Sequence, residues 1–252
     1  MGGEKSPPSI LFDIIRLMKT RISVVIPAYN EEKYIDTCLK CIFNQTIDKK
    51  LYEVIVVVRK DTNDKTVEIA KKYPVQIIYV NGGVGEARYK GYKNAKGDIF
   101  AGTDADTQVS RQWLEVIMDT FNDPNIVSVR GPILLTNDSS LMHKIAFKLS
   151  YTLYDLIGSL EGKVYIAGNN FAVRKTAYNQ AGGFNPNLKS GEDTDLTRKI
   201  CKYGKTVVNK QMIVHTSPRR IQEGYARSFF RYVKIFIFLK IGKLPPDFPH
   251  YR

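Results

Sequence analysis

A run of five consecutive β-branched residues at positions 54–58 constrains the fold of this chain more than any other feature. Strands buried on both faces of a sheet have this continuous apolar composition, whereas strands with one wet face alternate. Similar apolar runs at 22–26, 76–80 and 98–101 are separated by helical patterns at 31–43, 62–73 and 85–95. Strands that alternate with helices of about 10 to 13 residues predict an α/β fold with a mostly parallel, doubly wound central sheet flanked by helices.

The remaining apolar patterns predict one large domain with a C-terminal helical appendage. They indicate a helix at 110–121 capped by Ser110, a strand at 126–129 and a long helix at 139–160. The 252 residues contain no internal repeat and no low-complexity linker, so we divide the chain simply. The divisions are a leader or docking segment at 1–20, a large domain at 21–217 with halves at about 21–107 and 108–217, and a basic amphipathic helix and tail at 218–252.

The chain is strongly basic, with 38 lysines and arginines against 25 acidic residues and a formal net charge of +13. This surplus favours an anionic partner, which could be a nucleotide, a nucleic acid or an acidic membrane surface. The cysteines, Cys38, Cys41 and Cys201, are too few and odd in number for a disulfide framework. We expect Cys38 and Cys41 to share a buried helix face rather than bind zinc. A cytoplasmic location is expected, with peripheral contact to the cytoplasmic face of the membrane left open.

Two carboxylates, Asp104 and Asp106, flank one alanine directly after the apolar run at 98–101. Open α/β sheets bind their ligands beyond the carboxyl ends of the strands, which is where this motif is predicted to lie. Two carboxylates there can hold a hard divalent cation such as Mg²⁺ or Mn²⁺, which can in turn neutralise a diphosphate. The alternative is a solvated polar turn.

A second acidic group, Glu192 and Asp193 followed by Asp195, opens a further helical pattern. A positioned carboxylate can accept the proton of an attacking hydroxyl, so this group is a candidate general base. Acidic side chains also favour helix N-termini, so helix capping is the structural alternative, and the two roles are compatible.

These acids, together with the first strand and the glycine-bearing segments, follow the order and spacing of a known family. The stretch from 22 to 217 resembles glycosyltransferase family 2. The resemblance is carried by VVIPAYNEE at 24–32, GVGEAR at 83–88 with Gly91 and AKGD at 95–98, TDAD at 103–106, GGF at 182–184 and GEDTD at 191–195. It implies a single Rossmann-like catalytic domain of the GT-A fold, a nucleotide-sugar donor and transfer with inversion. The half at 21–107 would then bind the nucleotide, and the half at 108–217 would bind the acceptor.

The resemblance implies a metal site for Mn²⁺ or Mg²⁺. It makes Asp106 a direct ligand, while Asp104 serves the ribose or an outer-shell water. In several GT-A enzymes a late histidine completes the metal shell, and His215 is the candidate in this sequence. A structural histidine after an apolar run is the equally weighted alternative for His215.

The resemblance likewise implies the acceptor side. Asp193 corresponds to the general base of the family, with Glu192 and Asp195 hydrogen-bonding around it. Asn169 and Asn170 are predicted to lie near the acceptor.

Donor binding is predicted at the end of the first strand and at three arginines. Arg88 follows a glycine-rich loop in a first helical turn, where backbone N–H groups and a guanidinium suit a phosphate; a surface arginine is the alternative. Arg219 and Arg220 are predicted to close over the diphosphate, or else to belong to the basic tail. The other residues implied in donor binding are Pro27, Ala28, Tyr29, Glu31, Asp61 and Asp104.

The sequence departs from the family after the second strand. The family often carries an acidic pair there, in a pattern like valine-aspartate-aspartate-glycine-serine, whereas this chain has Arg59, Lys60, Asp61 and Thr62. A cation therefore stands where an acid usually reads the nucleoside, unless Asp61 substitutes from a shifted loop. The base and the sugar of the donor stay open.

Near the C-terminus, Glu223, Arg227, Arg231 and Lys234 form a charged stripe at helical spacing, with an apolar run at 235–239. This pattern predicts an interfacial helix next to anionic lipid. Packing against the catalytic domain or in a homodimer is the equally weighted alternative. A lipid-linked acceptor such as a polyprenyl phosphate would fit membrane proximity, and a glycan is the other class of acceptor considered.

The leading hypothesis is a metal-dependent, inverting glycosyltransferase that moves a sugar from a nucleotide-sugar donor to an acceptor hydroxyl or phosphate. One alternative is a sugar nucleotidyltransferase of similar fold, which is disfavoured because no glycine-rich, basic phosphate loop follows the first strand. The other is a non-enzymatic basic protein that binds membrane or nucleic acid. No recognisable nucleic-acid module occurs in the sequence, so no specific nucleic-acid partner is expected.

Overall fold

The computed structural model describes residues 21–136 and 139–219, together with the single positions Lys234 and Phe238. The predicted leader at 1–20 and nearly all of the predicted helix and tail lie outside the described residues, so the prediction of an interfacial C-terminal helix is not addressed. The described helices are α1 (Ile35–Phe43), α2 (Thr66–Ala70), α3 (Val84–Lys93), α4 (Trp113–Thr120), α5 (Leu141–Leu160), α6 (Lys175–Gln180) and α7 (Glu192–Ile200). The described strands are β1 (Ile22–Ala28), β2 (Tyr52–Arg59), β3 (Gln76–Val80), β4 (Ile99–Gly102), β5 (Thr107–Val109), β6 (Ile126–Arg130), β7 (Ile133–Leu135), β8 (Phe171–Arg174), β9 (Lys205–Val208) and β10 (Val214–Thr216).

A seven-stranded sheet in the order β3-β2-β1-β4-β8-β6-β9 forms the centre of the molecule. Strand β1 pairs in parallel with β2 and β4, and β2 pairs in parallel with β3. Strand β8 is antiparallel to both β4 and β6, while β6 and β9 are parallel. The predicted α/β fold with a mostly parallel sheet is therefore confirmed, and β8 is the strand that interrupts the parallel order.

The central strands are buried because both faces of the sheet are covered. Every residue of β1 is buried, as is the whole β-branched run within β2. Helix α3 approaches closely at Gly91, where an added Cβ would lie 2.4 Å from the Cγ1 atom of Val25. A larger residue at position 91 would push this helix away from the sheet, since real Cβ atoms do not come so close.

Two helices differ from their predicted bounds or capping. The predicted helix at 62–73 shortens to α2, because the preceding turn is built from side-chain contacts, with Asp64 accepting from the Thr66 backbone N–H at 2.9 Å. The predicted cap at Ser110 is wrong. Helix α4 begins at Trp113 after Gln112, and no side-chain cap hydrogen bond is formed there. The Ser110 carbonyl instead accepts from the Trp113 N–H, which makes a turn before the helix.

A second sheet of three short strands, in the order β5-β10-β7, was not predicted. Strand β10 pairs antiparallel with β5, which directly follows the Asp104–Asp106 motif, and parallel with β7. Strands of three residues carry too little alternation to be recognised in a sequence. This small sheet brings the end of the catalytic domain beside the acidic motif.

The cysteines behave as predicted where the structure describes them. Cys38 is buried and Cys41 is half-buried on α1, and both thiols are free. Burial raises the pKa of the Cys38 thiol well above its ordinary value. Over the described stretches of the chain, no helix has the length and apolar composition needed to cross a bilayer.

Candidate active site

The carboxyl ends of β1, β2 and β4 lie side by side, because β1 is the neighbour of both other strands. Asp104 and Asp106 follow β4 at this edge, and each residue is only 7% exposed. Two carboxylates at such depth need compensating charge or hydrogen bonds, since an unpaired buried charge is costly. A solvated polar turn is thereby excluded, and the partners of these acids define the site.

Arg88, on the first turns of α3, joins the two acidic motifs. Its Nη2 atom lies 2.9 Å from Oδ1 of Asp104 and donates to the carbonyl oxygen of Gly168 at 2.6 Å. Its Nε atom donates to Oε1 of Glu192 at 3.2 Å. The side chain is 1% exposed, so its contacts in this structure are with protein groups rather than with solvent. Arg88 therefore holds the turn after β4 and the start of α7 at a fixed separation.

The charge of Arg88 is maintained by these two acids. Burial alone would lower the pKa of the guanidinium, but Asp104 and Glu192 outweigh that effect and raise it. The rings of Phe171 and Phe184 lie below the guanidinium, with centroids 5.5 and 5.9 Å from its Cζ atom. The surface-arginine alternative for Arg88 is excluded by its burial.

Asp193 is the second residue of α7, two positions after Gly191, whose positive φ of 72° turns the chain into the helix. Its Oδ2 atom accepts from the Gly168 N–H at 3.0 Å and its Oδ1 atom from the Thr194 N–H at 2.7 Å. Burial and the neighbouring charge of Glu192 raise the pKa of Asp193 to about 6, against the lowering effect of those two hydrogen bonds. A carboxylate with this pKa can be ionised at neutral pH and still bind a proton readily.

Helix α5 supplies the wall beside Asp193. The Tyr154 hydroxyl lies 3.2 Å from Oγ1 of Thr194, and the Tyr154 ring packs on Tyr165 at 5.6 Å between centroids. Burial and the charge of Asp193 raise the pKa of Tyr154 well above its ordinary value. The tyrosine-rich helix thus reaches the base-bearing turn with its inner face.

Arg219 reaches the acidic motif from the last described segment. Its Nη1 and Nη2 atoms donate to Oε2 and Oε1 of Glu31 at 2.8 and 2.7 Å, and Nη2 also lies 2.7 Å from Oδ2 of Asp106. The guanidinium lies over the ring of Tyr34, 5.0 Å from its centroid. Arg219 is therefore part of the site, while its predicted companion Arg220 lies outside the described residues.

The acids at the edge of β4 fit a divalent cation of the expected type. Mg²⁺ and Mn²⁺ prefer hard oxygen ligands and are commonly held by one or two carboxylates together with substrate phosphates. Asp104 and Asp106 supply such oxygens, and the positive charge beside Asp106 is at present that of Arg219. Within residues 21–136 and 139–219, no three histidine, cysteine or acidic side chains group into a complete metal shell. Further ligands would be oxygens of the diphosphate or of water.

His215 occupies the middle of β10, opposite Gln108 of β5. Oγ1 of the next residue, Thr216, accepts from Oγ1 of Thr107 at 3.0 Å across the small sheet. Successive side chains of a strand point to opposite faces, so His215 lies on the face opposite to this threonine contact. The role of His215 as a metal ligand stays a prediction, as does its structural alternative.

A shallow cavity lies beside the carboxyl ends of β1 and β2 and the start of α3. Arg59 forms one wall with its guanidinium stacked over the Tyr29 ring, 3.7 Å from the centroid. Asp61 is paired with Arg59, two residues earlier, so at the departure from the family pattern the acid is bound to a neighbouring cation. The cavity is lined by Pro27, Ala28, Tyr29, Val57, Arg59, Gly83, Val84 and Ala87.

The three residues predicted on the acceptor side differ in placement. Asn170 is fully buried, and its side chain bonds the Trp113 indole N–H at 2.9 Å and the carbonyls of Pro132 and Met212 at 3.0 and 2.7 Å. Its described hydrogen bonds are all with core groups, which favours a structural role, and an acceptor contact of Asn170 stays a prediction. Asp195 pairs with Lys199 along α7 at 2.8 Å, and the carbonyl of Asn169 accepts from Thr103.

Several residues of the site were not recognised in the sequence. Tyr34 lies under Arg219, and Thr194 donates its backbone N–H to Asp193, but a tyrosine or threonine inside a helical pattern carries no signal of its own. The Gly168 backbone contacts both Arg88 and Asp193, and a backbone contact of this kind has no sequence signal. These positions are recognised as part of the site only in the folded structure, where three separate segments pack around one cleft.

Curated relatives of this chain are glycosyltransferases and cell-surface polymer enzymes. Glycosyltransferase AglE of Haloferax volcanii is 28% identical over 214 residues, covering 79% of this chain and 67% of the relative. The minor teichoic acid biosynthesis protein GgaB of Bacillus subtilis is 32% identical over 197 residues, covering 72% of this chain and 21% of the relative. The chain therefore spans at most about two thirds of these relatives.

Solved structures share the fold. The mannosyltransferase PcManGT of Pyrobaculum calidifontis, in complex with GDP-Man and Mn²⁺, has a TM-score of 0.66 at 21% identity, covering 90% of this chain and 66% of that chain. S. aureus TarS 1-349 has a TM-score of 0.63 at 20% identity, covering 90% and 67%. These likenesses establish the fold alone. The sequence profile of glycosyl transferase family 2 matches residues 23–181, which is more than half of the sequence, and the chain belongs to this family.

Proposed function

We propose that this enzyme transfers a sugar with inversion from a nucleotide-sugar donor to an acceptor hydroxyl or phosphate. The single observation that carries the proposal is the position of Arg88, whose guanidinium bonds Asp104 on one side and Glu192 on the other. The donor-side acids and the base-bearing turn therefore border one cleft. Inverting transfer needs such an arrangement, because the acceptor attacks on the face opposite the departing diphosphate.

Asp193 is the proposed general base. The acceptor hydroxyl oxygen attacks the anomeric carbon while its proton passes to a carboxylate oxygen of Asp193, and the bond between the anomeric carbon and the diphosphate oxygen breaks. The Gly168 and Thr194 N–H groups fix the orientation of the carboxylate. Its pKa of about 6 leaves most molecules in the basic form at neutral pH. Glu192 is held by Arg88 and acts by tuning Asp193 rather than by taking the proton.

The donor is proposed to lie along the edge of the sheet. The nucleoside occupies the cavity at Tyr29 and Arg59, where an aromatic ring and a guanidinium offer stacking surfaces. The diphosphate lies near Asp104, Asp106 and Arg219. Arg219 can give its bidentate hydrogen bonds to phosphate oxygens as it now gives them to Glu31. Arg88 is a positioning residue in this proposal and does not touch the phosphate.

A divalent cation, Mn²⁺ or Mg²⁺, would be held by Asp106, with Asp104 nearby. When bound, it would neutralise the charge that builds on the leaving diphosphate. A GT-A structure of similar fold contains Mn²⁺ together with GDP-Man, which supports a metal of this kind here. His215 is not included in the proposed shell.

The acceptor is proposed to be lipid-linked. A relative from Methanococcus voltae, 26% identical over 225 residues, is named as a transferase acting on a dolichyl N-acetylglucosaminyl phosphate. Another relative, from Pyrococcus furiosus, is named dolichol-phosphate mannosyltransferase. The half-buried Tyr154 of α5, next to Thr194, would form part of the acceptor wall.

A thermal-shift panel of nucleoside diphosphates and nucleotide sugars, with and without Mn²⁺, tests the donor part of this proposal. A ligand that binds only the folded state raises the midpoint, by an amount that follows its concentration relative to Kd. For Arg59→Ala, about tenfold more ligand should be needed to reach the same thermal shift, because one stacking surface of the cavity is lost. The matched control is Lys60→Ala, which removes a neighbouring cation that is exposed. No shift with any nucleotide, or equal shifts in both variants, would contradict the assignment.

A further inference from the structure

Helix α5 turns its apolar side outward. Met142, Ile145, Leu149, Leu156 and Leu160 are all exposed, with between 53% and 81% of each residue accessible. Surface helices of globular proteins normally bury the apolar stripe and expose the polar one. Scattered single apolar residues need no explanation, but a contiguous apolar patch marks a surface that binds something.

These five side chains form one continuous stripe. At 100° per residue they fall within about 60° of one another around the helix axis. The stripe runs from position 142 to 160, which corresponds to about 27 Å at 1.5 Å per residue. The opposite side of α5 carries Phe147, Tyr151 and Tyr154, which form a chain of ring contacts at 5.0 and 6.4 Å between centroids. The inner side is thus packed, while the outer stripe is exposed.

We propose that the outer stripe of α5 docks the enzyme on an anionic lipid surface. The helix would lie in the plane of the membrane interface with its aliphatic side chains among the acyl chains. Its length and its apolar face match those of interfacial helices. This surface is distinct from the predicted C-terminal helix.

Charge favours lipid over other protein partners. The helix carries Lys144 and Lys148 and no acidic residue in its first turn, and its acid Asp155 is paired with Arg130. The whole chain has a formal net charge of +13. A second copy would bring the same positive charge to the interface, whereas anionic headgroups would neutralise it.

The docking would also fix the distance between the active site and the membrane surface. Tyr154 on the inner side of α5 contacts Thr194, the residue after Asp193. The diameter of a helix with its side chains is about 10 Å, so the base would lie about that far from the docked surface. This last step rests on the proposed function, because a lipid-linked hydroxyl or phosphate emerges at that height. The docking itself requires neither donor nor acceptor.

A tryptophan placed on the stripe tests the docking directly. The full chain has one tryptophan, Trp113, which is fully buried and gives a constant background. Leu149→Trp should show a blue shift of the added emission and quenching by brominated lipid in vesicles that contain phosphatidylglycerol. Leu156→Trp serves as a second position on the stripe. The control is Tyr79→Trp, at an exposed position on β3, at the opposite edge of the sheet from β9; it should not be quenched.

Vesicle flotation separates docking by the stripe from general attraction of a basic protein. The double variant Leu149→Glu with Leu156→Glu should weaken partitioning at least about tenfold, because each buried leucine contributes well over 1.4 kcal/mol. The control double variant Tyr79→Glu with Tyr203→Glu changes the net charge equally at exposed positions elsewhere. Its partitioning into vesicles should weaken by no more than about threefold, which is the loss expected from the change in net charge alone.

Each other outcome overturns the proposal. Equal loss in both double variants would show that charge alone drives binding. Emission of Leu149→Trp that is already blue-shifted without vesicles, and not quenched by brominated lipid, would show that protein covers the stripe. If this blue shift depends on protein concentration, a second copy covers the stripe, and sedimentation would detect the oligomer. If it does not, another segment of the same chain covers the stripe. Sugar-transfer activity enters none of these measurements, so failure of the proposed function would leave them unchanged.

Discussion

Arg219 donates two hydrogen bonds to the carboxylate of Glu31, at 2.8 and 2.7 Å, across 188 positions of sequence. Glu31 is 1% exposed, so this bidentate pair compensates a buried negative charge. The same guanidinium contacts Asp106. The end of the catalytic domain is thereby tied to the turn after β1, next to the acids proposed to face the diphosphate.

Loss of that pair should destabilise the fold. Arg219→Ala leaves the buried Glu31 carboxylate without its partner, and we expect a decrease of about 3 kcal/mol in the free energy of unfolding. Arg219→Lys should lose less stability than Arg219→Ala, since the positive charge is kept although the bidentate geometry is lost. Urea denaturation measures both, with Lys210→Ala, which removes an exposed cation, as the control. Equal stability of Arg219→Ala and the control would show that the pair is not formed.

Arg88→Met should be more damaging than any surface change on the same helix. The substitution leaves Asp104 and Glu192 buried without their shared counter-ion, and a loss of about 3 to 5 kcal/mol is expected. Lys90→Met places the same new side chain at an exposed position of α3 and should leave stability within about 0.5 kcal/mol. Thermal and urea unfolding of the pair give the comparison. A small effect of Arg88→Met would mean that Arg88 is not the link between the two acidic motifs.

Transfer activity should fall on the acidic side with a midpoint near pH 6. Asp193 has its pKa raised to about 6 and must be ionised to accept a proton, so kcat/KM rises with pH through that value and then levels off. A raised carboxyl pKa also means that Asp193 favours the folded state below its ordinary pKa of 3.8, and that this contribution disappears as pH rises through about 6. Asp119→Asn, at an exposed position on α4, should keep the wild-type profile. A kcat/KM that is constant between pH 5 and 8 would contradict the role of Asp193.

Asn170→Ala should unfold at a lower temperature without any direct effect on ligand contacts. The change strands the Trp113 indole N–H and the carbonyls of Pro132 and Met212 in the core. Each unsatisfied buried group costs about 1 to 3 kcal/mol, so a total of about 3 kcal/mol or more is expected. Asn169→Ala, one residue earlier and half-buried, should be nearly neutral for stability. If the two variants unfold alike, Asn170 does not have the structural role assigned to it.

The sheet could be predicted because its signal is local. The β-branched run of β2 is typical of a strand covered on both faces. The bounds of β3 are those of the apolar pattern at 76–80. The strands of three residues could not be found, since β5, β7 and β10 are defined by their partners rather than by their own composition. Helix starts were misplaced for a related reason: the turn before α4 uses the Ser110 carbonyl, and not its hydroxyl, for the first bond.

The acids of the candidate site have a signal in the sequence, whereas the partners of its cations do not. Asp104 and Asp106 lie at the end of a strand, where a sheet of this kind places its ligands, and Asp193 begins a helix. An arginine in a sequence does not reveal whether it faces a phosphate or a carboxylate. Arg88 was expected on the diphosphate, yet its partners are Asp104 and Glu192, which come from distant parts of the chain. Asn170 shows the same limit, because its polarity suggested a ligand while its packing serves the core.

Release of nucleoside diphosphate from nucleotide sugars tests the central claim most directly. The measurement would compare the wild-type chain with Asp106→Asn and Asp193→Asn, in the presence of Mn²⁺, with folding of each variant checked by circular dichroism. We predict release by the wild-type protein from at least one nucleotide sugar, and a loss of at least about a hundredfold in both folded variants, as expected when a positioned acid–base or charge-stabilising group is removed. Release at wild-type rates by either variant, or no release by the wild-type chain from any nucleotide sugar, would contradict the account.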